Sequence, residues 1–548
     1  MNKDIEHCVL FYPTGIVHMR NLGLLKKQLP GFRFMVIVEP WMETKAPDAV
    51  SSIDKRDRVV VENNLLPQWI WEEKIELIFL SMAYPNPFRL QIVLDAANRC
   101  IPVIALEEVN QLALNDGIIN HYFLPVDYLG VVSEIERKKF LELGIPGENI
   151  VLTGWPFFDE DMSQLKKREF NIRSQYKIRE EIKCCLLVLG SLKEDDIVSL
   201  ETRQVRQNIL EIAANGLTEK FQLLIKPHPI EKEASIEHIR KMAPGAIILD
   251  PKYPIEPLIE QADVIVNRGN SQVALLALLK NKPVIITPVG MNTIFHGIIK
   301  EVIADTASQF HRIIVDYSWG RHQDYRRILS NHFPIDSKHA LIKTAQLFNT
   351  AIREKCTGNM QDKKLYIAIL YAFLDNMAAA DAILSELPDK ESVVLLKKLF
   401  HRTISLVEFI NLQELFNGKM IRWHLQALFI RVLTQGKSKI NLSMAMPLLK
   451  GFDGEVNPHY FMEDIINRIE LEYRAGNREV AEKLLKKFQT EYSVFDYYAQ
   501  AFDMIRFTCC KFGAGRFIRK FIWIIKNLNK PYTRKILKRK FMRSGKNI

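Results

Sequence analysis

The apolar positions of this chain come in short unbroken runs, separated by longer stretches of mixed character. His7-Cys-Val-Leu-Phe-Tyr12, Phe32-Arg-Phe-Met-Val-Ile-Val38, Glu76-Leu-Ile-Phe-Leu80, Ile101-Pro-Val-Ile-Ala-Leu106, Tyr128-Leu-Gly-Val-Val132 and Ile150-Val-Leu-Thr-Gly154 each fit a buried strand. Amphipathic helices lie between them, one reaching Leu29 and one spanning Phe88 to Cys100. Strands that alternate with helices predict a parallel sheet covered by helices. Residues 161–182 are highly charged, lack strand character and read as a linker. The alternation then resumes with Cys185-Leu-Leu-Val-Leu189, Phe221-Gln-Leu-Leu-Ile225, Ala246-Ile-Ile-Leu249, Val264–Val266 and Val284–Ile286. Helices at about 200–215 and 231–242 lie between these strands.

One stretch, Ala262 to Thr287, concentrates the signals. Val264-Ile-Val266 is a strand and Asn267-Arg-Gly-Asn270 a turn. Ser271 caps a helix to about Leu279, and Pro283-Val-Ile-Ile286 is the next strand. A helix N-terminus after a glycine-containing turn leaves backbone N–H groups free and suits a phosphate. The same pattern also serves as an ordinary βαβ unit.

Beyond about 361 the strand pattern stops. Tyr366–Leu374, Ala378–Leu387, Ser392–Leu399, Leu425–Leu433 and Phe461–Arg474 read as helices, after a helix near Ser337–Lys355 that returns toward the earlier domains. Arg474-Ala-Gly-Asn-Arg-Glu-Val-Ala-Glu-Lys-Leu-Leu485 has a helical-hairpin rhythm similar to tetratricopeptide units. No clear period of about 34 residues accompanies it, so a plain helical bundle is the alternative. The expected class is α/β: two tandem Rossmann-like doubly wound domains, an all-α helical-hairpin region and a basic amphipathic C-terminal tail. The expected boundaries are 1–160, linker 161–182, 183–335, return helix 336–360, helical region 361–506 and tail 507–548.

Charge changes the picture at one end only. Thirteen Lys and Arg and no acid lie from Lys511 to Ile548, so the net charge of +11 leaves the first 510 residues at −2. That placement argues against a nucleic-acid partner and for an anionic surface met by the tail. Phe512, Phe517, Ile518, Phe521, Ile522, Trp523, Ile525, Ile536, Leu537 and Phe541 interleave with the cations. The composition suits a membrane interface, though a helix capping the bundle or a solvated tail has the same ingredients. The seven cysteines are scattered, with no CxxC pair, which fits a reducing compartment without structural zinc. Met1 to His7 leads straight into a strand, and no run of ~18 uncharged apolar residues occurs, so neither a signal peptide nor a spanning helix is expected. The expected location is cytoplasmic, peripheral to the inner face of the membrane. The helical region offers a surface for a protein partner.

Ligands of open α/β domains sit beyond the carboxyl ends of the strands. In the second domain those positions hold Gly190, Ser191 and Lys193; then Lys226-Pro-His-Pro229; then Asn267, Arg268, Asn270 and Ser271; then Thr287-Pro-Val-Gly290. Two prolines stiffen the turn that carries Lys226 and His228. In the first domain Glu107 and Glu108 follow a strand, and either fits a general base, because partial burial raises a carboxylate's pKa. A helix N-terminus would equally favour two acids there. Gly15 and His18 follow the first strand, where a small residue lets an acceptor approach, and His121 is a further candidate for the cleft; a plain structural role is the alternative for both histidines. Asp159-Glu-Asp161 superficially fits a metal-binding motif, but it precedes a charged linker and not the end of a central strand.

These residues resemble the GT-B glycosyltransferases over roughly residues 5–355. Val126-Asp-Tyr-Leu-Gly-Val-Val-Ser-Glu134, Leu143-Gly-Ile-Pro146 and Val151-Leu-Thr-Gly-Trp-Pro156 are similar to the close of that family's first domain. Leu224-Ile-Lys-Pro-His-Pro229 is similar to a motif of capsule, lipopolysaccharide and teichoic-acid transferases, and Ala262–Thr287 resembles the donor-phosphate helix. The resemblance implies a nucleotide-sugar donor whose phosphate is held by Lys226, His228, Arg268, Asn270 and Ser271, beside the Gly190-Ser191 turn whose backbone N–H groups suit a phosphate by position. It implies Glu107 or Glu108 on the acceptor side, a glycan or glycolipid acceptor, and neither cofactor nor metal; Gly15, His18 and His121 are acceptor-side candidates by position alone. The donor helix from Gln272 to Lys280 lacks the acid many such enzymes carry for donor hydroxyls. Bacterial sialyl- and Kdo-type transferases, which use CMP-linked donors, pair a His-Pro motif with an acid-acid-Gly motif. His228-Pro229 resembles the first and Glu107-Glu108 the second, with Val109 in place of the glycine. NDP-sugar 2-epimerases share the fold, but Tyr12-Pro-Thr-Gly15 stands where their basic loop belongs. A non-catalytic scaffold of a polysaccharide assembly complex is the remaining alternative.

Overall fold

The computed structural model describes residues 7–13, 16–45, 47–61, 65–81, 86–107, 124–156, 171–190, 192, 203–229, 231–269, 271–289, 293–334, 339–355, 360–416, 418–434, 440–449, 452, 458–492, 504, 523–524 and 526–527. The chain divides into two compact units. The first holds Met1–Ala113, Ile119–Met162 and Arg327–Ile440; the second holds Leu114–Ile118, Ser163–Arg326 and Asn441–Ile548.

The first unit is built on a seven-stranded sheet: β1 His7–Tyr12, β2 Phe32–Val38, β3 Arg58–Val60, β4 Leu77–Leu80, β5 Val103–Leu106, β6 Tyr128–Val131 and β7 Ile150–Leu152. Their order is β3-β2-β1-β4-β5-β6-β7, and every described pairing is parallel. The order reverses between β1 and β4, and the crevice at such a switch point is where ligands of open α/β sheets bind. The expected strands recur within about two residues. The exception is β3, for which the hydrophobic pattern gave no signal; it is a three-residue edge strand whose Val60 is half exposed. Burial on both faces explains the continuous apolar runs. Phe11 and Phe79 are register partners on β1 and β4, and their rings stack at 4.7 Å.

The helix His339–Glu354 completes this core from far along the sequence. Phe348 sets its ring against Phe32, Phe34 and Phe79, and Ala345, Leu347 and Ala351 join the same cluster. The next helix, Met360–Phe373, lies on Pro87–Asn98, with Tyr371 Oη donating to the carbonyl of Pro87 at 3.2 Å.

The second unit has a five-stranded parallel sheet: β8 Lys183–Val188, β9 Phe221–Lys226, β10 Ile247–Ile248, β11 Val264–Asn267 and β12 Val284–Ile286. The order is β10-β9-β8-β11-β12, so the reversal falls between β8 and β11. The helix Gln272–Leu279 is buried at every residue from Val273 to Leu278, which is why its sequence is apolar all round. Helices Pro458–Arg474 and Arg478–Tyr492 form the expected hairpin, with Gly476 at a φ of +85° in the turn.

Among the described residues no helix is long and apolar enough to cross a membrane. Most of the tail from 507 to 548 lies outside the described residues. Its described Trp523 and Ile524 are buried, so at this point the tail packs against protein.

Candidate functional site

At the carboxyl edge of the second sheet, side chain to carbonyl contacts tie the described strand ends and loops to one another. At the reversal point Asn267 Nδ2 donates to the carbonyl of Val188 (3.3 Å), tying the end of β11 to the end of β8. Its Oδ1 accepts from the N–H of Gly269 (2.8 Å), closing a tight turn. Gly269 has a φ of +88°, and a Cβ there would lie 2.7 Å from Ile286 Cγ2 and 2.9 Å from Thr293 Cγ2. Glycine is thus required twice over, for conformation and for space. Ser271 then caps the following helix, its Oγ accepting from the N–H of Val273 (3.3 Å).

Of the cations expected at this edge, Lys226 and Arg268 are buried, and Lys193 lies outside the described residues. Arg268 is 2% exposed, and its Nε donates to the carbonyl of Pro288 (3.3 Å), joining the loops after β11 and β12. Lys226 is 3% exposed, and its Nζ donates to the carbonyls of Pro227 (3.1 Å) and Pro251 (2.5 Å). Burial lowers the Lys226 pKa to about 8, against the pull of Asp250 in the other direction. These contacts make both side chains clamps on the loops as well as sources of positive charge. His228 is half-buried, and its carbonyl accepts from the N–H of Glu231 (2.9 Å) in the turn after the two prolines.

Sequence reasoning missed the ion pair beneath this edge. Arg206 and Glu231 meet at 2.7 Å with side chains 1% and 2% exposed. Arg206 Nη2 also donates to the carbonyl of Gly190 (2.6 Å), and Nη1 donates to Ser235 Oγ (3.0 Å). Glu231 Oε1 further accepts from the N–H of Leu192 (2.8 Å). A signal did exist. In the helix Arg203–Gly216 the buried face is Val205, Arg206, Ile209, Leu210, Ala213 and Gly216, so an arginine occupies a core position.

The first unit has its own pocket at the carboxyl ends of β1, β4, β5 and β7. Phe11, His18, Phe79, Ser81, Leu106, Glu107, Trp155 and Pro156 line it. His18, Ser81, Glu107 and Trp155 are all nearly inaccessible. Ser81 donates from both N–H (3.2 Å) and Oγ (3.1 Å) to the carbonyl of Tyr12, holding the β1 and β4 ends together. The N–H of Glu107 donates to the carbonyl of Gly130 (2.9 Å), extending the β5–β6 ladder by one residue and fixing where the carboxylate starts. His18 and Glu107, 89 residues apart in sequence, therefore share one pocket.

Gly15, Glu108, His121, Ser191, Asn270 and the Asp159–Asp161 motif lie outside the described residues. Among the described residues no group of three or more His, Cys, Asp or Glu is placed to hold a metal ion.

Residues 122–266 match the family model of the alpha-2,8-polysialyltransferases, a span running from just before β6 into β11 and containing Lys226-Pro-His-Pro229. No curated protein matches the sequence. Several solved structures are similar at low identity. A putative UDP-N-acetylglucosamine 2-epimerase from Listeria monocytogenes is 11% identical, covering 64% of this chain and 98% of its own, with a TM-score of 0.46. A glycosyltransferase from Rickettsia africae is 13% identical over 64% and 99%, at 0.45. The wall teichoic acid polymerase TagF is 14% identical over 64% and 89%, at 0.42. The family match thus falls on about a quarter of the chain, from the last strands of the first sheet into the fourth strand of the second, and spans the Lys226-Pro-His-Pro229 loop.

Proposed function

We propose that the protein moves sialic acid from a CMP-linked donor to the end of a growing, lipid-linked sialic-acid polysaccharide. The observation that carries this reading is the position of the polysialyltransferase match, which spans the His228-Pro229 loop. The acceptor hydroxyl attacks the anomeric carbon, forming the new C–O bond. The bond from that carbon to the phosphate oxygen breaks, and its electron pair leaves with CMP. Glu107, fixed at the end of β5, takes the hydroxyl proton, and His18 beside it orients the acceptor.

The leaving phosphate gathers negative charge and needs preorganised positive potential. Arg268, Lys226, His228 and the capped N-terminus of Gln272–Leu279 supply it, with Gly190 and Ser271 shaping the seat and Ser191 and Asn270 completing it. Such a site stabilises the phosphate without a bound metal. The thirteen cations from Lys511 to Ile548 hold the enzyme against anionic lipid at the inner membrane face, with Trp523 turned into the protein.

The test uses purified full-length protein with CMP-linked sialic acid and an oligosialic acid acceptor. Chain elongation with stoichiometric CMP release supports the reading. Elongation from a UDP-, GDP- or CDP-linked donor and none from the CMP-linked one overturns the donor assignment. For the tail, deletion after Phe507 moves the protein out of the membrane fraction; an unchanged distribution removes that part.

A further inference from the structure

We propose that the buried pair Arg206–Glu231 is the positioning element of the donor site, setting Gly190 and Leu192, just beyond β8, in register with the His228-Pro229 turn. The inference rests on the donor reading above and adds to it residues that never touch the donor. One guanidinium joins three elements. Its Nη2 holds the carbonyl of Gly190 at the end of β8 (2.6 Å) and Glu231 at the end of the His-Pro turn (2.7 Å). Its Nη1 holds Ser235 in the helix Glu233–Met242 (3.0 Å). Glu231 answers by accepting from the N–H of Leu192 (2.8 Å). The residues on either side of position 191 are thus gripped by the two halves of one ion pair, one through a carbonyl and one through an N–H.

Position and chemistry separate this pair from an ordinary stabilising bridge. Burial obliges the pair to satisfy its remaining donors and acceptors, and the groups that do so are the backbone atoms of Gly190 and Leu192 just beyond β8. Lysine cannot replace the arginine, because the planar fork reaches two acceptors from one nitrogen and a third from the other, whereas an ammonium is a point donor. The arrangement ties Gly190 and Leu192 to the end of the His-Pro turn before the donor arrives, so less ordering remains to oppose binding.

The experiment compares wild type, Arg206→Lys, Glu231→Gln and Arg240→Ala as full-length protein, with CMP, UDP and CDP as probes in isothermal titration and the donor KM and kcat read separately. Arg240 forms only exposed ion pairs on the neighbouring helix and serves as control. Arg206→Lys and Glu231→Gln are expected to raise the nucleotide Kd and the donor KM about tenfold, with the acceptor KM and saturated kcat within twofold, while Arg240→Ala changes none of these. Glu231→Gln keeps an acceptor for Leu192, so it reports even if Arg206→Lys does not fold. If wild type binds none of the three nucleotides, the donor reading falls and takes the proposal with it. If wild type binds and either folded variant binds equally well with an unchanged donor KM, the positioning role alone is wrong.

Discussion

Lys363 donates to Asp127 at 2.7 Å across 236 residues of sequence, with the side chains 8% and 0% exposed. Asp127 Oδ2 also accepts from the N–H of Val103, so the carboxylate joins β5, the start of β6 and the helix Met360–Phe373. Removing one partner of such a pair leaves a buried charge uncompensated, at a cost of about 3–5 kcal/mol. Lys363→Met is therefore expected to lower the unfolding free energy by about that amount. Asp127→Asn combined with Lys363→Met keeps an acceptor for Val103, removes both charges and recovers most of the loss. Denaturant titration of the two variants checks this.

Gly130 is predicted to control Glu107. A Cβ at Gly130 would stand 2.3 Å from Leu106 Cδ2 and 3.1 Å from Thr153 Oγ1. Leu106 precedes Glu107, whose N–H is bonded to the Gly130 carbonyl. Gly130→Ala is expected to cost about 1–3 kcal/mol through overpacking. It is also expected to reduce transfer by at least about tenfold, because small displacements at a reacting group are expensive. Adding Leu106→Ala opens the space and restores part of the activity. Steady-state kinetics with a thermal melt separates the two effects.

Lys226 gives an alkaline limit. Its pKa of about 8, lowered by burial, lies well under the ordinary lysine value of about 10.4. Transfer is expected to fall as pH rises through about 8 and the ammonium is lost. Lys226→Arg, if folded, keeps its charge and flattens that limb, whereas Lys226→Ala abolishes transfer at every pH. The stability sign runs the other way. Between the two pKa values the unfolded chain holds the proton and the folded chain does not, so stability from this group rises with pH across that window. A pH–rate profile beside pH-dependent melts tests both signs.

Glu231 gives an acid limit. Burial pushes its carboxyl up, but the hydrogen bonds from Arg206, Ser235 and the Leu192 N–H outweigh it and hold the pKa below the usual carboxylate range. Its stabilising contribution is complete above the ordinary glutamate value of about 4.3 and is lost as pH falls through the depressed folded value. Glu231→Gln is expected to remove this part of the acid dependence of unfolding. Comparing melts of the variant and wild type across the acid range measures it.

The parallel strands were legible because strands buried on both faces must be apolar throughout, as in Cys8 to Tyr12 and Cys184 to Leu187. Helix Gln272–Leu279 was legible through its cap, since its all-apolar face offers no amphipathic period. Edge strand β3 was not legible, because three residues with an arginine and a half-exposed valine carry no periodic signal. At the site, strand ends pointed to the right loops but not to what the side chains touch. Lys226 and Arg268 read as bare cations by sequence, yet they grip carbonyls of Pro227, Pro251 and Pro288. Arg206 and Glu231 escaped notice because their tie is made by the crossing of one helix under two loops, which no spacing records.

Phe348 and its neighbours on His339–Glu354 close the core of a sheet whose last strand ended at Leu152. Between those points the ribosome must deliver about 200 residues, which takes on the order of tens of seconds during synthesis. The first sheet thus emerges first and finishes late. Until residue 354 arrives, the apolar surface of Phe32, Phe34 and Phe79 is a target for chaperones. Shortening the chain before that helix would leave the surface open permanently.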